Sequence, residues 1–291
     1  MQPIEVKRKT LRFKNGSAEH TEDSIVTEYP VTIKLNGQEF VTMICTPEHI
    51  EDMVIGFLAS EGVIRKYEDI EDFWVQENEG YVHIKTTKNN PFSLDFRSKR
   101  YVTSCCGISR QSFVFVNDAL TAKKMEGIPV KISIENTFKL MDMMHNSATL
   151  FQKTGGVHNA ALCNDDGIIL NRMDIGRHNA LDKIYGYCLR NNVSISDKII
   201  AFSGRISSEI LLKVAKIGCS IVLSKSAPTE LALQLAENLG ITTIGFIRNH
   251  SMNVYTHPER ILDVHKIVED EKHLSFIASE IDIKNGLKKP V

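Results

Sequence analysis

Apolar and polar residues alternate with period two through the first third of the chain. Val31-Thr32-Ile33-Lys34-Leu35 alternates, Asn36-Gly37 supplies a tight turn, and Glu39-Phe40-Val41-Thr42-Met43-Ile44-Cys45 alternates again. That pattern predicts a β-hairpin. The charged residues ahead of it, up to about position 25, predict an extended arm or edge strand. Thr46-Pro47-Glu48 then predicts a helix start, with Thr46 as cap, proline at the first position and acid in the first turn. Ile50, Met53, Val54, Phe57 and Leu58 share one face of that helix, which stops near Gly62. Phe73-Trp74-Val75, Val82-His83-Ile84 and Phe92-Ser93-Leu94 predict short strands, so this part reads as an α+β unit.

Further along, Phe113-Val114-Phe115-Val116 is a short apolar run and Glu126-Gly127-Ile128-Pro129 a loop. Asn136 or Thr137 is the expected cap of a helix carrying Phe138, Met141, Met144 or His145, Ala148 and Phe151. From Gly155 strands and helices alternate. Ala160 to Cys163 and Gly167 to Leu170 predict a hairpin, and Asn179 to Leu189 a helix with Leu181, Ile184, Tyr185 and Cys188 inward. Lys198 to Phe202, Ser220 to Leu223 and Thr242 to Ile247 predict strands, separated by helices over Ser208 to Ile217 and Glu230 to Leu239. This β-α-β-α-β order implies neighbouring parallel strands with helical crossovers. Asn253-Val254-Tyr255-Thr256, a helix from Pro258 and a charged tail close the chain. The expected class is α/β: a smaller α+β unit over 1–100, a cysteine-bearing connection over 101–130 and an α/β unit over 131–291.

Composition narrows the function. The chain has 291 residues and a formal net charge of −1, so it does not read as a general nucleic-acid binder. No stretch is long and apolar enough to span a bilayer, and the polar N-terminus lacks the apolar core of a signal peptide. A cytoplasmic location without membrane partners is the expectation. Of the six cysteines, Cys45, Cys163, Cys188 and Cys219 are isolated in apolar or helical surroundings and read as buried, reduced thiols. No Cys-x-x-Cys occurs, so a four-thiolate zinc site is not expected.

The chemistry-bearing exception is Thr103-Ser104-Cys105-Cys106-Gly107-Ile108-Ser109-Arg110. Two adjacent thiols beside a glycine and near a cation suit thiolate chemistry on a loop. A second signal lies at the ends of the predicted parallel strands, where ligands bind in open sheets. These are Ser203-Gly204-Arg205, Ser224-Lys225-Ser226 and Arg248-Asn249-His250-Ser251, the first two leading into helix N-termini. Hydroxyls, cations and free helix N–H groups together predict a site for a phosphorylated ligand, a nucleotide above all. Thr154-Gly155-Gly156-Val157-His158-Asn159 and Asp174-Ile175-Gly176-Arg177-His178-Asn179 concentrate acid, base and cation. Their histidines read equally well as structural or catalytic, and Asp174 as an ion-pair partner of Arg177. Cys106 and Arg110 are too close for a cysteine-phosphatase loop. His20-Thr21-Glu22 and His49-Ile50-Glu51 match half of a zinc-deaminase signature whose Pro-Cys-x-x-Cys half is absent. Walker-type and dinucleotide glycine motifs are also absent.

Taken in order, these segments resemble the FdhD family, the formate dehydrogenase accessory sulfurtransferases. Ser104-Cys105-Cys106-Gly107, Thr154 to His158, Asp174 to Lys183, Ser203-Gly204-Arg205, Ser226-Ala227-Pro228 and Gly245-Phe246-Ile247-Arg248 carry the resemblance. It implies a sulfur carrier that takes sulfur from a cysteine desulfurase as a persulfide. The carrier passes it to the molybdenum of the bis-(molybdopterin guanine dinucleotide) cofactor before that enters formate dehydrogenase. It implies a cytidine-deaminase-like larger domain without zinc, and a homodimer. Cys106 maps to the persulfide-bearing residue, while Ser109 stands where the family's second cysteine is expected. Phe246, Ile247, Arg248, Asn249, His250 and Ser251 map to the guanine-nucleotide segment, for which GDP is a mimic. With the strand-end residues Ser203, Gly204, Arg205, Lys225 and Ser226 they make the expected cofactor site. A non-covalent cofactor chaperone is the alternative, and a redox sensor using Cys105 and Cys106 a third reading.

Overall fold

In the computed structural model, three sheets and six α-helices are described over residues 2–87, 101–102, 122, 124–125 and 127–264. Strands β1 (Glu5–Lys14) and β2 (Ser17–Val26) form a two-stranded ribbon about Asn15-Gly16. The sequence pattern suggested an arm but not its hairpin, because most positions of both strands are polar. In the ribbon's register opposite charges face each other across the strands: Arg8 lies opposite Asp23, Lys9 opposite Glu22 and Arg12 opposite Glu19.

The second sheet has the order β5-β6-β3-β4-β7. Its strands are β3 (Tyr29–Leu35), β4 (Gln38–Cys45), β5 (Ile70–Gln76), β6 (Tyr81–Thr86) and β7 (Tyr101–Val102). The predicted β3–β4 hairpin forms as expected. Its alternation puts Val31, Ile33, Leu35, Val41, Met43 and Cys45 against helix α1 (Ile50–Ser60). The start of α1 departs from the expectation. His49, with φ 55°, occupies the cap, and Thr46 turns inward to partners far along the chain.

The third sheet has the order β13-β12-β11-β10-β8-β9. It comprises β8 (His158–Cys163), β9 (Ile168–Asp174), β10 (Ile199–Phe202), β11 (Ile221–Ser224), β12 (Thr242–Arg248) and β13 (Ser251–Thr256). Its centre, β10-β11-β12, is parallel as predicted, while β8, β9 and β13 run antiparallel to their neighbours. Helices cover both faces. Ala160, Leu162, Ile200, Phe202 and Val222 meet α4 (Arg177–Arg190), α5 (Ser208–Ile217) and α6 (Glu230–Leu239). Ala161, Cys163, Ile199, Ala201 and Leu223 meet α2 (Ile134–Ser147). Ser133, not Asn136 or Thr137, caps α2, its hydroxyl accepting from the Asn136 N–H. The predicted continuation to Phe151 breaks at Ala148 into a separate short helix, α3 (Thr149–Thr154).

Helices α1 and α4 join the two larger sheets. They cross where Gly56 meets Gly186. A Cβ at Gly56 would lie 1.9 Å from the Asp182 carbonyl oxygen, and one at Gly186 1.8 Å from that of Asp52. Only glycine permits that approach. The junction therefore buries α1 on two sides, more completely than the one-faced helix expected from its sequence. Among the described residues, no helix is long and apolar enough to cross a membrane. The helix expected from Pro258 is a single 3-10 turn over Pro258–Arg260 in the described residues; the predicted strand Phe92-Ser93-Leu94, the run Phe113 to Val116 and the residues beyond 264 lie outside them.

Candidate functional site

The sheet order brings the predicted strand-end segments to one edge. The parallel strands β10, β11 and β12 end there, at Phe202, Ser224 and Arg248. Because β8 runs antiparallel to β10 and β9 antiparallel to β8, His158 and Asp174 lie at the same edge. Hydrogen bonds lace the loops into one rim. The Ser203 N–H donates to the Asn159 carbonyl at 2.9 Å, and the Asn159 N–H to the Ser203 hydroxyl at 2.9 Å. The Ser224 hydroxyl donates to the Gly204 carbonyl at 2.8 Å, and the Phe246 N–H to the Ser226 carbonyl at 3.3 Å.

This lacing refines the predicted anion site. Ser226 spends its hydroxyl proton on the Ser203 carbonyl, so its side chain is a strut of the rim. Ser203 accepts a hydrogen bond from the Asn159 N–H through its hydroxyl oxygen. Arg205 and Arg248 are exposed and Lys225 half-buried. Among the described residues, none of the three has a carboxylate within ion-pair distance. Helix α5 starts from Ser207, whose hydroxyl caps Ile210, while Thr229 leads into α6 without a side-chain cap.

The predicted guanine segment has an unusual backbone. Phe246, Asn249 and His250 adopt φ values of 53°, 50° and 54°, and the β12–β13 register shifts between Gly245 and Arg248. Asn249 and His250 are the central pair of the two-residue hairpin turn between paired Arg248 and Ser251, where positive φ is required, while Phe246 adopts it within the bulge, which re-aims side chains. The Phe246 ring lies 5.6 Å from the Arg248 guanidinium, and the His250 ring, on the turn, lies 5.7 Å from that of Phe138. Ile247 points the other way and is buried in the core beneath the sheet. It supports the segment and offers no side chain to a ligand.

The Asp174 segment divides between the rim and the interior. Asp174 pairs with Lys183 at 2.8 Å, both fully buried, and not with Arg177 as the sequence suggested. Lys183 also donates to the Thr46 hydroxyl at 2.7 Å and the Met173 carbonyl at 3.1 Å. Asp174 accepts from the Thr46 N–H at 3.0 Å, the Gly176 N–H at 2.8 Å and the Asn179 amide at 2.9 Å. These residues fasten α1's sheet to the larger one. His178, by contrast, stands 3.0 Å from the Glu209 carboxylate of α5. His158 is half-buried over Phe202, their ring centroids 6.5 Å apart. Burial, aided by the charges of Arg177 and His178, holds its imidazole below the ordinary value, against the opposing pull of Asp174. Sequence reading missed Thr46 and Glu209, since each acts through a residue over thirty or over a hundred positions away.

The four isolated thiols are buried and free, as expected. Burial pushes Cys163 and Cys188 up to about 12 and raises Cys45 and Cys219 further. None of them supplies a thiolate near neutral pH. Cys105 and Cys106, like Ser109 and Arg110, lie outside the described residues. Among the described residues, no three His, Cys, Asp or Glu side chains converge as a metal site.

Comparison with known proteins places the chain among relatives. The FdhD/NarQ family model matches residues 26–262. A sulfur carrier protein FdhD from Shouchella clausii is 53% identical over 259 residues, 89% of this chain and 97% of that protein. One of the same name from Bacillus subtilis is 57% identical over 256 residues, 87% of this chain and 96% of that protein. A crystal structure of a protein assigned as a formate dehydrogenase accessory protein in Desulfotalea psychrophila is 25% identical. It superposes with a TM-score of 0.72 over 89% of this chain and all of that one. The chain belongs to the FdhD/NarQ family.

Proposed function

We propose that the chain is a sulfur carrier serving formate dehydrogenase. Its Cys106 thiolate attacks the terminal sulfur of a cysteine desulfurase persulfide. The new S–S bond forms as the desulfurase thiolate leaves, the same displacement as in thiol–disulfide exchange. The carried sulfur goes to the molybdenum of the bis-(molybdopterin guanine dinucleotide) cofactor, the carrier's substrate. The rim receives the nucleotide end of that cofactor: the exposed cations Arg205 and Arg248, Lys225 and the Ser203 hydroxyl face its phosphates, and the bulged segment Phe246 to Ser251 its guanine. The larger unit is a deaminase-like domain turned to cofactor binding. Two copies pair in the cytoplasm so that two rims meet the two-headed cofactor.

The observation that carries the carrier role is the state of the other thiols. All four described cysteines are buried with raised pKa values, which leaves Cys105 and Cys106 for sulfur chemistry. Relatives named as sulfur carriers, alike over nearly their whole length, support the same role. Intact mass measured after incubation with a desulfurase and cysteine tests it. One sulfur atom is gained by the wild type and by Cys105→Ser, and none by Cys106→Ser. A gain that persists in Cys106→Ser removes the assignment. Restoration of formate dehydrogenase activity by Cys106→Ala would instead favour a non-covalent chaperone.

A further inference from the structure

The β1–β2 ribbon is fastened only at its base. There the Thr27 N–H donates to the Ile4 carbonyl at 2.9 Å, Glu5 pairs with Lys153 of α3 at 3.0 Å, and Val26 packs with Leu150 and Val157. From Lys7 to the Asn15-Gly16 turn the ribbon is largely exposed, Leu11 by 47% and Phe13 by 76%. A two-stranded hairpin without a packed face is marginal in water and is stabilised by a third strand. Among the described residues β1 pairs only with β2, so its outer edge presents backbone N–H and C=O groups. The second sheet has an edge of the same kind in β5, which pairs only with β6.

These two edges differ in charge. Strand β1 carries Lys7, Arg8, Lys9, Arg12 and Lys14 against one acid, Glu5. Strand β5 and the turn before it carry Glu68, Asp69, Glu71 and Asp72, with no Lys or Arg from 67 to 84. Neighbouring strands offset part of this. Strand β2 sets acids opposite Arg8, Lys9 and Arg12, and Lys85 holds Glu71 at 2.8 Å. Lys7 and Lys14 face only Ser24 and Ser17, and Glu68 and Asp72 are exposed. Charge on an edge strand ordinarily prevents pairing. Here it repels β1 from β1 and β5 from β5, and attracts β1 to β5. Within one chain the two strands belong to separate sheets and do not pair. Trp74 of β5, 48% exposed and stacked 4.3 Å from His83, adds apolar surface on the acidic edge to match Leu11 and Phe13 on the basic one.

We propose that β1 of one copy of this chain adds to the β5 edge of a second copy, reciprocally, so that two exchanged ribbons tie the pair. The inference rests on the pairing of two copies in the reading above and names the contact that makes it. Main-chain hydrogen bonds between the edges supply affinity, and the opposite charges select the partner edge. Reciprocal exchange closes the assembly at two copies.

Sedimentation velocity over a range of protein concentrations tests the exchange. The wild type is expected to be a dimer that weakens at about 1 M salt, where screening shortens to about 3 Å. Two charge-reversed chains, Lys7→Glu with Lys14→Glu and Glu68→Lys with Asp72→Lys, should each self-associate about tenfold less tightly. Mixing the two should restore the dimer, because one contact is then wild type and the other has both charges exchanged. Trp74, the chain's only tryptophan, reports the same event: its emission shifts to shorter wavelength as the wild type associates. Melting temperatures show whether the variants fold, and if they do not, the salt and tryptophan responses of the wild type decide. A dimer that resists salt and both reversals, or leaves Trp74 emission unchanged, overturns the strand exchange while the pairing stands. A wild type that stays monomeric removes the exchange and the pairing together. Neither result touches the carrier role, which the mass measurement decides.

Discussion

Cations do two opposite jobs in this molecule. At the junction of the two larger sheets, Lys183 sits on Asp174, Lys213 on Asp182, and Arg172 on Asp52, all of them buried. At the rim, Arg205, Lys225 and Arg248 face outward with no carboxylate partner among the described residues. The side chains are of the same kind, and the difference lies in what surrounds them. A buried ammonium keeps its charge only if a carboxylate and hydrogen-bond acceptors replace the lost water, as Asp174, Thr46 and the Met173 carbonyl do for Lys183. Such a charge is spent on holding the fold. An exposed rim cation keeps its water and needs no such partner, so under the proposed function its charge is free to meet an anion.

Breaking one side of this comparison should leave the other intact. Lys183→Met strands the Asp174 carboxylate in the interior and is expected to lower the unfolding free energy by about 3–5 kcal/mol, read by urea titration. Pairing it with Asp174→Asn should recover part of that loss. At the same junction, Gly186→Ala drives a Cβ into the Asp52 carbonyl and should cost about 1–3 kcal/mol or more. The rim should respond in the opposite way. Arg248→Gln is expected to weaken GDP binding about tenfold, since hydrogen bonds to charged groups contribute roughly 1.5–3 kcal/mol. Its stability should stay within about 0.5 kcal/mol of wild type, as for an exposed substitution.

Smaller effects sharpen the contrast between sheltered and available groups. In the native protein, iodoacetamide should spare Cys45, Cys163, Cys188 and Cys219, and label them only in denaturant, as peptide mass mapping would show. The smallest effect concerns His158. Burial, then Arg177 and His178, depress its pKa below the ordinary 6.5, with Asp174 opposing. The unfolded chain therefore binds its proton more readily than the folded one, and the favourable contribution is present above about pH 6.5 and is lost as pH falls through the folded value. His158→Gln should flatten the stability profile over that range; an unchanged slope would contradict the shift.

Much of the strand-end rim was legible in sequence, for local reasons. The segments Ser203-Gly204-Arg205, Ser224-Lys225-Ser226 and Arg248 to Ser251 were found because strand ends and helix starts carry recognisable signals. The helices over Ser208 to Ile217 and Glu230 to Leu239 appear with the predicted bounds, each ending at a glycine. Other readings failed where a distant partner overrode a local preference. Thr46 has the makings of a helix cap, yet Asp174 and Lys183 claim it from over a hundred residues away. Asp174 lies three positions from Arg177, yet the sheet and α4 turn it to Lys183. The ribbon of β1 and β2 was hidden because polar and charged residues fill most of its positions and leave only a weak apolar alternation to read.

The sequence by itself determined the local elements, the chemistry available at each strand end, and a thiol pair unlike the other four cysteines. Hydrophobic period, turn residues and caps act over a few positions, and a single chain displays them directly. Only the tertiary structure decided which of these groups are neighbours. Antiparallel β8 and β9 carry His158 and the Asp174 segment to the edge where parallel β10, β11 and β12 end. The β12–β13 bulge holds Phe246 at positive φ, with Ile247 buried in the core beside it. Strand order and register are set by packing between residues far apart in sequence. For that reason the same motif could be divided, with Asp174 and Lys183 placed in the interior and His178 at the rim.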